Sequence, residues 1–115
     1  MAKNITSISI NGNTMSIVKK KTTSKIVGFT EATSWYTYDF IAPHDGIILV
    51  AARLTTIGSE VWIFNNSISG LAEMSSTTRA NQDCLATCIC NEGDSITVTA
   101  SNVDANANNR IQIIY

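Results

Sequence analysis

Short runs of alternating apolar and polar residues recur along this chain, and turn-forming residues separate them. A period of two places successive side chains on opposite sides of a β-strand, whereas an amphipathic helix needs apolar residues three and four positions apart. Helical spacing is nearly absent, so the pattern predicts an all-β protein. We expect strands over residues 5–10, 14–18, 34–40, 47–54, 61–64, 71–75, 82–90, 95–101 and 110–115.

The residues between these runs favour tight turns. Asn11-Gly12-Asn13 predicts a β-hairpin because Asn and Gly tolerate positive φ. The only proline of the chain opens the turn at Ala42–Gly46, and Asn91–Asp94 forms another turn. Eight to nine short strands in a chain of 115 residues fit one domain with a jelly-roll-like antiparallel β-sandwich.

Two predicted strands are apolar on both sides. Neither side is polar in Ile47–Leu54 or in Val61–Phe64, whereas a strand of an antiparallel sheet normally has one polar side that faces solvent. One sheet-on-sheet core covers one side of each strand, so we expect a second subunit to cover the other. The pattern leaves open which side meets that subunit. The candidate interface residues are Leu49, Val50, Trp62 and Phe64.

Charge is distributed unevenly along the chain. Residues 1–28 contain five lysines and no acid, whereas the remainder contains three arginines and all nine acids. We therefore expect residues 1–30 to be a basic N-terminal hairpin or arm that attaches the protein to an acidic partner, and residues 31–115 to be the sandwich. A solvated edge that protects against aggregation is the alternative. The candidate attachment residues are Lys3, Lys19, Lys20, Lys21 and Lys25.

The overall charge and the N-terminus limit the partners and the compartment. A net charge of -1 gives no general case for binding nucleic acid. The first residues contain no continuous apolar stretch of the signal-peptide type, and no apolar run is long enough to span a bilayer. We expect a protein made in a cytoplasm, with no nucleic-acid partner and no membrane insertion.

Three cysteines occupy alternate positions of one predicted strand. Cys84, Cys88 and Cys90 share a side of that strand, as does Ala86. Neighbours two residues apart lie about 6.6 Å apart along a strand, which is too far for a disulfide without distortion. We predict buried free thiols that fill a narrow space between sheets. A zinc site or a disulfide is the alternative.

Other candidate chemistry is weak. His44 is the only histidine and lies in a turn, and no G-x-S-x-G nucleophile motif or glycine-rich phosphate loop occurs. Residues 102–108 place oxygen-bearing side chains at alternate positions, but the glycine and the terminal glutamate of a calcium loop are missing. An exposed turn and a solvated loop are the simpler readings. We therefore expect no catalytic residue, no metal and no cofactor.

Short motifs in the second part of the chain resemble those of a known family. Tyr38–Gly46 contains an Ala-Pro-x-Asp-Gly turn before a central strand, and Val61–Asn66 ends a strand in a polar turn. Glu92–Val98 has the pattern Gly-Asp-x-Ile-x-Val, and Arg110–Tyr115 is a closing strand. Together these motifs resemble the C1q/TNF-like trimeric jelly rolls of bacteriophage head fibres, decoration proteins and tail-fibre tips. The resemblance covers residues 34–115.

The resemblance implies a homotrimer on the surface of a virion. We expect a non-enzymatic structural protein that decorates a phage capsid or forms a head-fibre subunit, with another virion protein such as the capsid as its partner. The alternative is a tail-fibre or tail-tip module for host attachment, which would recognise a host glycan or surface protein. A small sandwich enzyme is a third reading, which needs a cleft with a perturbed titrating group.

Overall fold

The computed structural model describes residues 7–16, 22–29, 34–68 and 70–115. Antiparallel strands account for most of these residues, and a single short 3-10 turn at Asn66–Ile68 is the one helical element among them. The strands are β1 (Ser7–Ile10), β2 (Asn13–Ser16), β3 (Thr23–Val27), β4 (Trp35–Ile41), β5 (Gly46–Leu54), β6 (Glu60–Asn65), β7 (Gly70–Ser76), β8 (Gln82–Cys90), β9 (Ser95–Ser101) and β10 (Arg110–Ile114).

Eight of these strands form two four-stranded sheets. Sheet 1 has the order β3-β10-β5-β8 and sheet 2 the order β4-β9-β6-β7, with every pair antiparallel. Apart from the step from β6 to β7, consecutive strands lie in opposite sheets or in non-adjacent positions, which is the wrapping of a jelly roll. The prediction of an all-β sandwich of this type is confirmed.

The core lies between the two sheets and consists of small and branched side chains. Ile48, Val50 and Leu54 of β5 have no exposed surface, and neither do Val61 and Ile63 of β6. Burying one such side chain contributes roughly 1.5–3 kcal/mol to folding. The other fully buried aliphatic residues are Ala86, Ile96, Val98, Ala100, Ile111 and Ile113.

Aromatic residues close one edge of this core. Tyr36, Tyr38 and Phe40 point inward from β4, with ring centroids 6.5 Å and 5.7 Å apart along the row. Phe29 packs against Tyr36 at 4.4 Å and is almost fully buried. The three alternate β4 residues therefore share one side of the strand, as their spacing predicts.

β1 and β2 form a separate two-stranded hairpin. Asn11 and Gly12 occupy its turn with φ values of 50° and 80°. Positive φ at both central residues is the geometry of a tight turn whose twist matches that of the strands, and Asn-Gly is its preferred sequence. The predicted hairpin is confirmed in the described part of this region, residues 7–16.

The sandwich begins earlier in the chain than the sequence indicates. β3 pairs with β10, and backbone hydrogen bonds of 2.8 Å and 2.9 Å join Thr22 to Tyr115. Because Phe29 also enters the core, residues 22–29 belong to the sandwich rather than to an arm that ends at residue 30. β3 is an edge strand with one partner, which explains its polar, basic sequence.

Candidate functional site

The outer side of sheet 1 carries a group of aliphatic side chains, most of them accessible, and Gln112 of β10 and Thr87 of β8 interrupt it on the row of Leu49. In the sheet register, Ile47 lies between Ile114 on β10 and Ile89 on β8. The exposed fraction is 43% for Ile47, 76% for Ile89 and 55% for Leu85. We call this group the aliphatic face, and its members are Ile47, Leu49, Ala51, Leu85, Ile89 and Ile114.

Polar and charged groups border the aliphatic face. Arg53 donates two hydrogen bonds to the Asp83 carboxylate, at 2.9 Å and 3.1 Å, and this contact lowers the pKa of Asp83. A shallow depression of about 440 Å³ lies beside the pair, lined in part by residues 107–110. Exposed Lys25 lies at the opposite edge of the sheet, on β3. A largely apolar patch with charged groups at its rim is a usual arrangement of a protein–protein interface.

The four predicted interface residues lie in three different environments. Leu49 belongs to the aliphatic face. Val50 has no exposed surface and packs between the sheets, so it is wrong as an interface candidate, because no subunit could reach it without unfolding the chain. Trp62 and Phe64 are half-buried on the outer side of sheet 2. The spacing of apolar residues shows which of these side chains share a side of a strand. It does not show whether that side faces the core.

The outer side of sheet 2 has a different composition. Trp62 and Phe64 stack along β6 with ring centroids 5.9 Å apart and an interplanar angle of 22°. Hydroxyl and carboxylate groups lie next to them on β9 and β4, in the rows Trp62–Thr99–Thr37 and Phe64–Thr97–Asp39. We call this surface the hydroxyl–aromatic face, and its members are Thr37, Asp39, Trp62, Phe64, Thr97 and Thr99.

Side-chain hydrogen bonds fix the polar groups of this face. Asn66 Nδ2 donates to Thr97 Oγ1 at 2.9 Å, and Thr97 Oγ1 donates to Asp39 Oδ1 at 2.5 Å. Trp62 Nε1 donates to Glu60 Oε2 at 2.7 Å, which holds the indole ring at one end. The members of this network come from separate segments of the chain, so no local pattern predicts it, although the alternating hydroxyls of β9 are a signal in the sequence.

The predicted attachment residues are mostly outside the described part of the chain. Lys3, Lys19, Lys20 and Lys21 belong to residues 1–6 and 17–21, which the structure does not describe. Lys25 is exposed on the edge strand β3. The attachment role of the lysines therefore stays a prediction.

The motif residues around Asp94 hold one end of the sandwich together. The Asp94 carboxylate accepts hydrogen bonds from Asn65 Nδ2 at 2.9 Å and from the backbone N–H of Asn91 at 2.8 Å. These bonds stabilise the charged form and lower the pKa of Asp94. Asn65 is fully buried, so Asp94 also satisfies a polar side chain that would otherwise be costly to bury.

The Asp45-Gly46 pair supports the same end from sheet 1. Asp45 Oδ1 accepts a hydrogen bond of 2.7 Å from the backbone N–H of Glu92, which joins the two turns. A Cβ atom at Gly46 would lie 2.2 Å from the Ile114 carbonyl oxygen, so only glycine fits beside β10. The acidic residues and glycines of these motifs therefore have structural roles.

The three cysteines are free and buried, and the prediction of buried thiols is confirmed. Burial raises the pKa of Cys88 to about 11 and also raises the pKa of Cys90. A buried thiol with a raised pKa stays protonated at neutral pH and is a poor nucleophile. Among the described residues, no group of three or more His, Cys, Asp or Glu is arranged to hold a metal ion.

His44 and the loop at 102–109 have structural surroundings. The His44 ring stacks on Tyr115 with centroids 3.9 Å apart, and the Tyr115 hydroxyl contacts Ser24 Oγ at 3.1 Å. In the loop, buried Asn109 accepts a hydrogen bond from the backbone N–H of Arg53 at 2.8 Å and donates one to the Asp104 carbonyl. The amide of Asn109 therefore anchors the loop to β5.

No known family model matches this chain, and no curated protein matches it. Within residues 7–16, 22–29, 34–68 and 70–115, no helix has the length and apolar character needed to cross a membrane.

Proposed function

We propose that this chain is a non-enzymatic structural subunit that assembles as a homotrimer through its aliphatic face and decorates a bacteriophage particle. The observation that carries the proposal is the row Ile114–Ile47–Ile89 with Leu49 and Leu85 beside it. The members of the aliphatic face are all hydrocarbon side chains, and Gln112 and Thr87 are the polar residues that lie between them. A second protein surface is the partner that such a group fits best.

The energetics favour self-assembly through this face. Each fully buried aliphatic side chain contributes roughly 1.5–3 kcal/mol, and the face offers five that are larger than alanine. Their combined burial in each subunit is of the order needed to offset the translational and rotational entropy of association, about 4–15 kcal/mol. The side chains lie on rigid neighbouring strands, so little further ordering opposes the contact.

The number of subunits and the location follow from the family resemblance. Three copies around an axis and a place on a capsid, as decoration protein or head-fibre subunit, are what C1q/TNF-like phage domains imply. The structural roles of Asp45, Asp94 and His44 support a non-enzymatic protein, because the titratable groups nearest the motifs are engaged in turns and stacking. Electron cryomicroscopy of the particle would locate the subunit on capsid or tail.

The test is the mass in solution, measured by light scattering at micromolar concentration. We expect three copies for the natural chain and one copy for Leu85→Asp, because a charge within the contact would be buried without a partner. Thr37→Asp adds the same charge on the opposite side of the sandwich and should leave three copies. A natural chain that is monomeric, or a Leu85→Asp variant that stays trimeric, would contradict the proposal.

A further inference from the structure

We propose that the hydroxyl–aromatic face of sheet 2 is a binding site for an uncharged saccharide. This site lies on the opposite side of the sandwich from the aliphatic face, so a subunit could use both surfaces at once. The proposal goes beyond assembly, and it stands on three features of the face: an aromatic pair, a fixed chain of polar groups and the sign of its charge.

The aromatic pair offers a partly exposed apolar strip. Trp62 and Phe64 stack along one strand, with ring centroids 5.9 Å apart and an interplanar angle of 22°. Aromatic rings that are held by their surroundings bind with little loss of conformational freedom. The hydrogen bond from Trp62 Nε1 to Glu60 fixes the indole at its polar edge, so the ring is available for apolar contact. The C–H faces of a pyranose ring are the complementary surface.

Beside the aromatic strip lies the polar chain Asn66–Thr97–Asp39. Asn66 donates to Thr97, and Thr97 in turn donates to Asp39. The chain of donors therefore ends at the Asp39 carboxylate, which is exposed on the edge strand β4 and is the hydrogen-bond acceptor of the chain. A carboxylate accepts several hydrogen bonds, and the hydroxyl groups of a sugar are suitable donors. The hydroxyls of Thr37 and Thr99 can both donate and accept, as sugar hydroxyls do.

The charge of sheet 2 selects the class of saccharide. Its four strands contain Asp39, Glu60 and Glu73 but no lysine or arginine. Binding a sulfated, phosphorylated or sialylated sugar would place an anion among carboxylates with no cation to offset it. An uncharged saccharide avoids this repulsion.

A second copy of the same face fits it less well than a saccharide does. Two such faces would bring Asp39 carboxylates together without a cation, and an unpaired buried charge is costly. A saccharide covers the aromatic strip while its own hydroxyls bond to the carboxylate, which leaves no polar group unsatisfied.

The test uses the full chain and four uncharged hexasaccharides, built from glucose, mannose, galactose or N-acetylglucosamine. Ligand binding is followed by NMR through the indole N–H signals of Trp62 and Trp35. We expect at least one of these probes to shift the Trp62 signal and to saturate, while 3′-sialyllactose leaves it unchanged. Failure of all four probes to bind, or preferential binding of the sialylated probe, would overturn the proposal.

Variants separate this site from the rest of the molecule. Trp62→Ala and Asp39→Ala should each weaken binding of the active probe by about tenfold or more, a change set by losing one principal contact. Asp39 is exposed, so its replacement tests the site even if Trp62→Ala fails to fold. Ile57→Ala removes an exposed apolar side chain from the turn between β5 and β6, outside both sheets, and should keep full affinity. The proposal would be refuted if the active probe still bound with full affinity to both Trp62→Ala and Asp39→Ala. It would also be refuted if Asp39→Ala lowered the mass of the assembly in solution.

Discussion

The two outer sides of the sandwich have the same backbone pattern and opposite chemistry. On sheet 1 most outward positions of β5, β8 and β10 are aliphatic, with Gln112 and Thr87 between them and Arg53 and Asp83 at the rim. On sheet 2 the outward positions carry hydroxyls and a carboxylate joined by hydrogen bonds, an aromatic pair, and the exposed side chains of Trp35, Ile41 and Met74. An aliphatic surface gains most from contact with another aliphatic surface, whereas a hydrogen-bonding surface can discriminate between ligands. One fold can thus carry an assembly surface and a recognition surface without either compromising the other.

The largest expected effect is on the free energy of unfolding, and it distinguishes the inward side of sheet 1 from its outward side. Val50→Asp places a charge in the buried core and should lower the free energy of unfolding by more than about 4 kcal/mol. The total free energy of unfolding of a small domain is about 5–15 kcal/mol. Leu49→Asp, one residue earlier, should change the stability of the isolated subunit by about 1 kcal/mol or less. Chemical denaturation of both variants measures the difference. Equal losses would contradict the assignment of the two sides.

An intermediate effect is expected from alkaline pH. Burial raises the pKa of Cys88 to about 11, above the ordinary value of 9.0. Between these values the unfolded chain loses the proton more readily than the folded chain, so the free energy of unfolding should fall as pH rises from about 9 toward 11. The contribution of Cys88 is fully present below pH 9. Cys88→Ala should reduce this alkaline loss, as thermal melts across that pH range would show; an unchanged pH dependence would contradict it.

The smallest effect on stability is expected from truncation before the sandwich. Deleting residues 1–21 removes the β1–β2 hairpin and four of the five candidate attachment lysines, and it should leave the melting temperature and the mass in solution nearly unchanged, because β3 and Thr22 remain paired with the end of the chain. If the N-terminal segment attaches the protein, the truncated chain should no longer join its particle, as sedimentation of particles with bound protein would show. Deleting residues 1–28 is the contrasting variant, and it should unfold the sandwich by removing β3.

Much of the strand pattern could be predicted because period-two alternation and turn chemistry are local properties. The bounds of β5, β8 and β9 agree with the predicted ranges to within one residue. β3 is not among the predicted strands, although a solvated edge is one reading of its region, because an edge strand with one partner is stabilised mainly by its pairing with β10, which its own sequence does not display. Its lysine and hydroxyl side chains resemble those of a loop.

The candidate surfaces were harder to predict, since they depend on which strands become neighbours. Alternation shows that Leu49 and Val50 face opposite ways, but only the packing of sheet 2 on sheet 1 decides which of them is inside. The row Ile114–Ile47–Ile89 joins residues from three distant parts of the chain. The hydrogen bonds from Asn66 through Thr97 to Asp39 likewise need a register that no local pattern encodes.

The pairing of Thr22 with Tyr115 has a mechanical consequence. These residues lie opposite each other at one end of the antiparallel pair β3–β10. A force that pulled residue 22 and residue 115 apart would therefore break the hydrogen bonds between these strands one after another. It would not shear them all at the same time. The sandwich should yield at low force in this direction and resist best when the load is spread across the flat surface of a sheet.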